Sequence, residues 1–317
     1  MDKGIFGRHS WVTLILTLVT LVSCENKEIR VSEDISVRQY VFLGHPYDWA
    51  ADTKDRIDPR LIRLNTRDYD ELWLGGDVCV RTTEKAETMY YVDSVFGISD
   101  TNRVHWCLGN HDIRNGDPRI IENYLGRNSY HSHNSHGITK VFLNTNTNNL
   151  QVPELVGDVE LERRQVEFIK NVFDTITTSD HLIVFAHHTI FQEIPELESR
   201  TIPSNVHIPN YSFSSEAKLT FPKFIYPYLK AIVKRGVKVW WVCGDFGMNA
   251  KSFRFQDANG ITFLGQGVNN SVLQAGYIPP YVNNFDPDNV LVFRHLENGN
   301  LFPSFQNLDS LLFVRGL

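Results

Sequence analysis

Five short apolar runs in this 317-residue chain stop, four of them in glycine, at a side chain able to bind a metal or carry a proton. Asp77 follows Leu74-Gly75-Gly76, Asn110 and His111 follow Leu108-Gly109, and Asp245 follows Cys243-Gly244. His187 and His188 follow Phe185-Ala186, and His45 follows Leu43-Gly44. Carboxylate oxygens, an amide oxygen and imidazole nitrogens together suit a borderline divalent cation such as manganese, iron or zinc. A cation held by such a set activates water for in-line attack on phosphorus and draws charge from the phosphate oxygens. A protonated His111 would then hand a proton to the leaving alcohol, because imidazole titrates near neutrality and a nearby phosphate favours its charged form. The glycines are expected to let the backbone turn tightly and approach the metal and its phosphate.

Residues so far apart meet only if the runs before them are strands whose carboxyl ends share one edge, where open sheets bind ligands. Candidate strands are Tyr40 to Leu43, Glu71 to Leu74, Val104 to Leu108, Thr139 to Asn144, His181 to Ala186 and Val237 to Cys243. Between them, Leu161 to Phe173 places Val166, Ile169 and Phe173 at spacings of three and four, and Phe224 to Val233 does the same with Phe224, Tyr228 and Ile232. These periods predict amphipathic helices packed on a sheet. Ser252 to Phe255, Thr262 to Leu264 and Val290 to Phe293 are short and turn-separated, as in an antiparallel flank. From 189 to 220 the chain reads as loop, with Pro195, Pro203 and Pro209, and a loop of that length is expected to form a lid that sets specificity.

The ordered motifs resemble those of the calcineurin-like metallophosphoesterases. Gly75-Gly76-Asp77 is similar to the second motif of that family, Gly109-Asn110-His111-Asp112 matches the third outright, and Ala186-His187-His188 is similar to the fourth. Leu143-Asn144-Thr145-Asn146 resembles the stretch between the last two, and the correspondence runs in order from about Tyr40 to Leu296. The resemblance implies an α/β fold, a four-layer α/β/β/α sandwich of two mixed sheets. It implies that Asp77 bridges two metals, that Asn110 and His187 bind one of them, and that His111 is the catalytic acid.

Two motifs depart from the family. Its opening Asp-x-His is Leu43-Gly44-His45 here, and its Gly-His-x-His is Gly244-Asp245-Phe246-Gly247. Asp245 is an acceptable ligand, whereas Gly247 offers no side chain. One cation therefore keeps Asp77, Asn110, His187 and Asp245, while its neighbour keeps Asp77 and His45 alone unless Asp48 or His207 assists. One firm site and a second that is weak, altered or empty are expected. Arg114 offers a fork for a phosphate oxygen or makes a surface ion pair, and His188 stands beside the ligands as a substrate contact. His131, His133 and His136 lie in a stretch rich in Ser and Asn and read as solvated loop histidines, and Trp240 and Trp241 as packing residues on the two faces of a strand.

The formal charge of −6 gives no support for wrapping a polyanion, so nucleic acid is not an expected partner. Lys3 and Arg8 before the apolar run from Trp11 to Val22 suit a secretory signal too short to span a bilayer. Leu21-Val22-Ser23-Cys24 resembles the lipobox of bacterial lipoproteins, which implies lipidation of Cys24 and an envelope location facing the periplasm or the exterior. The expected organisation is a signal over 1–24, a tether over 25–37 and a catalytic domain over 38–317. Cys79, Cys107 and Cys243 remain, without the spacing of a disulfide framework, and read as buried small hydrophobes. Two functions fit: hydrolysis of phosphomonoesters or phosphodiesters, or a degenerate surface lipoprotein that binds a ligand or partner through the same crevice.

Overall fold

The computed structural model describes residues 36–51, 55–80, 82–114, 117–149, 151–152 and 155–314. Cys24, the signal segment and nearly all of the expected tether lie outside the described residues. In chain order the first half runs β1 (Ser36–Leu43), α1 (Pro59–Arg63), β2 (Glu71–Leu74), α2 (Ala86–Phe96), β3 (Val104–Trp106), α3 (Asn110–Ile113), α4 (Pro118–Leu125), β4 (His131–Ser135) and β5 (Ile138–Phe142). The second runs α5 (Val159–Thr175), β6 (His181–Ala186), α6 (Tyr226–Lys234), β7 (Lys238–Cys243), β8 (Ser252–Gln256), β9 (Thr262–Gln266), β10 (Asn289–Leu296), β11 (Leu301–Asn307) and α7 (Leu308–Val314).

The strands form two mixed sheets, one of five in the order β11-β10-β1-β2-β3 and one of six in the order β4-β5-β6-β7-β9-β8. Period-two alternation sorts their side chains into layers. Tyr40 and Phe42 on β1 join Trp73, Phe142, Phe185, Trp240 and Phe293 between the sheets, where Phe142 and Phe185 stack at 4.5 Å. Val41 and Leu43 point the other way, onto Met89, Val92 and Phe96 of α2. On the far sheet Val184 and Trp241 face outward onto Ile169 and Phe173 of α5 and Leu229 of α6. The result is helix, sheet, sheet, helix, with Trp240 and Trp241 on opposite faces of β7. Lys140 of β5 crosses the central layer to Glu71 of β2, its Nζ 2.5 and 2.7 Å from the two carboxylate oxygens.

The six expected central strands and both amphipathic helices are present, with ends shifted by a few residues. Three features differ from the expectation. The histidines of 131–136 are not all in a loop: His131 and His133 lie on edge strand β4, and His131 stacks on His105 and Phe142 at 5.6 and 4.7 Å. Ser and Asn on an edge strand have turn-like composition because the solvated face needs no apolar residue. The late strands are not one antiparallel flank: β9 runs parallel to β7, and β10 lies inside the first sheet, antiparallel to β1. The span 189–220 is not merely surface loop, since Ile190, Phe191, Ile194, Leu197, Tyr211 and Phe213 are buried against the second sheet. Cys79, Cys107 and Cys243 are free and buried, as expected.

Candidate metal centre

The pairings β1 with β2, β2 with β3, and β6 with β7 are all parallel, so in each sheet the carboxyl ends of the site strands lie on one edge. The two edges meet at glycine. A Cβ on Gly244 would stand 2.0 Å from the Gly75 carbonyl oxygen, and one on Gly44 would stand 2.6 Å from the Gly244 carbonyl oxygen. These glycines therefore exist for contact between the backbones of the two sheets rather than for a turn around a phosphate. The left-handed positions fall on Gly76, at φ of 88°, where the expected turn is made, and on His45 and Asp77, with φ of 56° and 53°. Such conformations are costly for side-chain-bearing residues and gather at functional sites.

Asp77 is at the middle of the cluster. Its Oδ1 accepts from the backbone N–H of His111 at 2.8 Å, and its Oδ2 lies 3.0 Å from His45 Nε2 and 3.4 Å from His187 Nε2. Asp245 Oδ1 is 3.7 Å from His45 Nε2. One ligand atom each from His45, His187 and Asp245 lie within 4.8 Å of one another, and Asp77, His45, His187 and Asp245 are all essentially inaccessible to solvent. Neither Asp48 nor His207 belongs to this group: Asp48 Oδ1 accepts from Ala50 N in its own turn, and His207 is exposed.

His187 supplies the test of fit. Its Nδ1 lies 2.8 Å from the Gly75 carbonyl oxygen and must donate to it, which leaves the buried Nε2 without a hydrogen bond, 3.4 Å from Asp77 Oδ2, to carry a proton toward that carboxylate or to bind a cation. A fixed tautomer with the other nitrogen free is the state of a metal-ligating histidine. Electrostatics point the same way. Burial lowers the pKa of His187, but Asp77 and Asp245 outweigh it and raise the group to about 9. Burial raises Asp77, and the surrounding His187, His111 and His45 pull it well below the ordinary carboxylate range. The cluster thus demands positive charge, met by imidazolium or by a cation, and the donor set suits a divalent metal ion.

Around these side chains the third motif does structural work that its last residue reveals. Asp112 Oδ2 accepts from the backbone N–H of Asp77 at 2.9 Å and of Gly109 at 2.8 Å, and from the indole of Trp106 at 3.2 Å. Its Oδ1 accepts from Val78 N at 2.7 Å. Burial and then Asp77 raise this carboxyl to about 7, against the downward pull of its backbone donors. His188 has no face on the crevice: Nδ1 lies 2.8 Å from Thr145 Oγ1, and Nε2 lies 3.2 Å from Asn110 Oδ1 and 3.1 Å from Asn149 Nδ2. Burial and His187 lower it to about 3, so it is neutral and orients Asn110 rather than meeting a substrate directly.

His111 and Arg114 line an open cavity of about 530 Å³ together with Tyr47, Trp49, Val206 and Tyr281. Burial lowers His111 to about 4, with Asp77 opposing, so its ring is neutral without a substrate anion. Arg114 Nε donates to the Gln151 carbonyl at 3.3 Å. Val206 N donates to Asp245 Oδ2 at 3.1 Å, which ties the 189–220 segment to the cluster. The residues that sequence reasoning passed over are Asp112, Asn149 and the aromatic wall of Tyr47 and Trp49. Only Asp112 carried a signal, as the fourth residue of the third motif. Gln266 ends β9, and its Oε1 accepts from Gly44 N at 2.7 Å.

No family model and no curated protein matches the chain. Among solved structures it is similar to GAP50, the anchor in the inner membrane complex of Plasmodium, at 12% identity and a TM-score of 0.50, over 86% of this chain and 84% of that one. It is also similar to a dimetal phosphatase from Danio rerio at 12% identity and a TM-score of 0.48, over 86% of this chain and 97% of that one. The fold is a four-layer α/β/β/α sandwich of two mixed sheets. Likeness at this identity is likeness of fold, and function must be argued from the site.

Proposed function

We propose that the chain is a metal-dependent hydrolase of phosphate monoesters or diesters. The observation that carries this reading is His187 Nε2, buried without a hydrogen bond and 3.4 Å from Asp77 Oδ2, in a cluster with His45 and Asp245. A divalent ion bound there supplies an activated water and a positive charge for the phosphate oxygens. Asp77, His187, Asp245 and Asn110 would hold it firmly, with His45 beside them. Asp77 also fixes the backbone of His111, so the acid and the ion would be set by one carboxylate. A substrate phosphate against His111 brings the negative charge that its imidazole needs to hold a proton for the leaving oxygen. Arg114, on the same wall, is placed to orient that phosphate.

Protein beginning after Cys24 is expected to bind about one tight equivalent of manganese, iron or zinc and to hydrolyse an aryl phosphate mono- or diester. His111→Ala should lower turnover by roughly 100-fold or more with metal content unchanged, the range for loss of a general acid. Lack of turnover on both esters with all three metals would sink the hydrolase. It would favour the second reading, a surface protein binding through the same crevice, which the absence of ligating side chains at Leu43 and Gly247 supports.

The location also stands as a proposal. No helix among the described residues is long and apolar enough to cross a membrane. A lipid on Cys24, after the apolar run from Trp11 to Val22, would hold the enzyme to a bacterial envelope membrane. Cells fed labelled fatty acid should label the wild type and not Cys24→Ser, and equal labelling of the two would refute the anchor.

A further inference from the structure

Asn269 is 1% exposed, and neither its Oδ1 nor its Nδ2 has a hydrogen-bond partner. A buried polar group left unpaired is costly, and a bound ion is one group that satisfies such an exception. The amide is not needed to hold its own turn. The backbone N–H of Asn269 donates to Asp288 Oδ1 at 3.0 Å, and Asp288 is itself clamped by Arg60 at 2.6 Å and Lys251 at 3.1 Å.

Its position is equally specific. Val268 N donates to the Gly44 carbonyl at 3.0 Å, so Asn269 and His45 are the residues next along the chain from one shared hydrogen bond. On its other side, a Cβ on Gly247 would stand 3.1 Å from the Asn269 Cβ. Gly247, with φ of 120°, is where the fifth motif lacks its second ligand, and a side chain there would start against Asn269. We propose that the Asn269 side-chain oxygen is a ligand for a second divalent cation beside His45 and Asp77, in place of the side chain missing at Gly247. This rests on the metal-dependent reading above. A neutral amide oxygen replaces an imidazole, so the second cation is held more weakly than the first.

The experiment is equilibrium dialysis of the whole protein after Cys24 against manganese, with bound metal counted by plasma mass spectrometry and paired ions detected by electron paramagnetic resonance. Wild type should show one tight and one weaker equivalent with a spin-coupled pair at saturation. Asn269→Leu, similar in size and without stranded polar atoms, should keep its melting temperature and the tight equivalent. It should lose the coupled signal, with second-site affinity down roughly tenfold or more, the scale of ligand-shell changes. Asn269→Asp should tighten the second site, and Asn269→Ala serves if the leucine variant folds poorly. A second equivalent unchanged in the leucine or alanine variant overturns the assignment, as does a wild type that binds a single ion only. No tight equivalent at all overturns instead the metal-dependent reading on which it rests.

Discussion

Asp77→Asn should leave a folded protein that has lost its metal and its hydrolysis. Asparagine visits the left-handed region that Asp77 occupies at φ 53°, and its amide oxygen can still accept from His111 N, so the loop keeps its shape. What goes is the charge facing the two imidazoles. An NH₂ group would point toward His45 and His187 where a cation is to sit. Partners of metal ligands outside the first shell already carry ~10–100-fold in affinity. A lost central ligand should therefore cost on the order of 100-fold or more, and turnover should fall with it. The checks are metal content after dialysis, aryl phosphate hydrolysis and a circular dichroism melt. Wild-type metal binding in this variant would remove Asp77 from the site.

Asp112→Ala should have the largest effect on stability of any single change near the site, although Asp112 is not among the residues facing the cavity. Its carboxylate gathers donors from Asp77, Val78, Gly109 and the Trp106 indole, all of them buried. Alanine strands them together, and at roughly 1–3 kcal/mol for each unpaired buried group the loss should reach about 4 kcal/mol or more. That is a large part of the ~5–15 kcal/mol that keeps a domain folded. Urea titration gives the number. Should the alanine variant fail to fold, Asp112→Asn, which keeps one acceptor and adds a clashing donor, should still lose about 2 kcal/mol. A midpoint for either variant within error of wild type would show that the strand ends are held by something else.

Both expectations bear on how one fold hosts this centre. The candidate ligands come from strand ends in two sheets, and their spacing depends on glycines that let those ends touch and on a carboxylate that ties the backbone after β2 to that after β3. The segment over 189–220 joins this frame through Val206, so its proposed part in specificity would be exercised from a largely packed position rather than by a free loop.

The strands that carry the site and the residue types at their ends are legible along the chain. Short continuous apolar runs that stop at a glycine or a polar residue are a local property, visible in Glu71–Leu74 and His181–Ala186, both buried along their whole length. The sequence also located the two incomplete motifs at His45 and Gly247. Which sheet a strand joins was decided only in three dimensions, because a short apolar run such as that of β10 is compatible with an edge or a centre. The same holds for β4, whose polar residues hide an edge strand stacked on His105. Only the packing of the sheets turns His188 inward to Asn110, makes Asp112 the hub and sets Asn269 against Gly247. Those are contacts between residues tens of positions apart, set by how two sheets close on one another, and no local pattern encodes them.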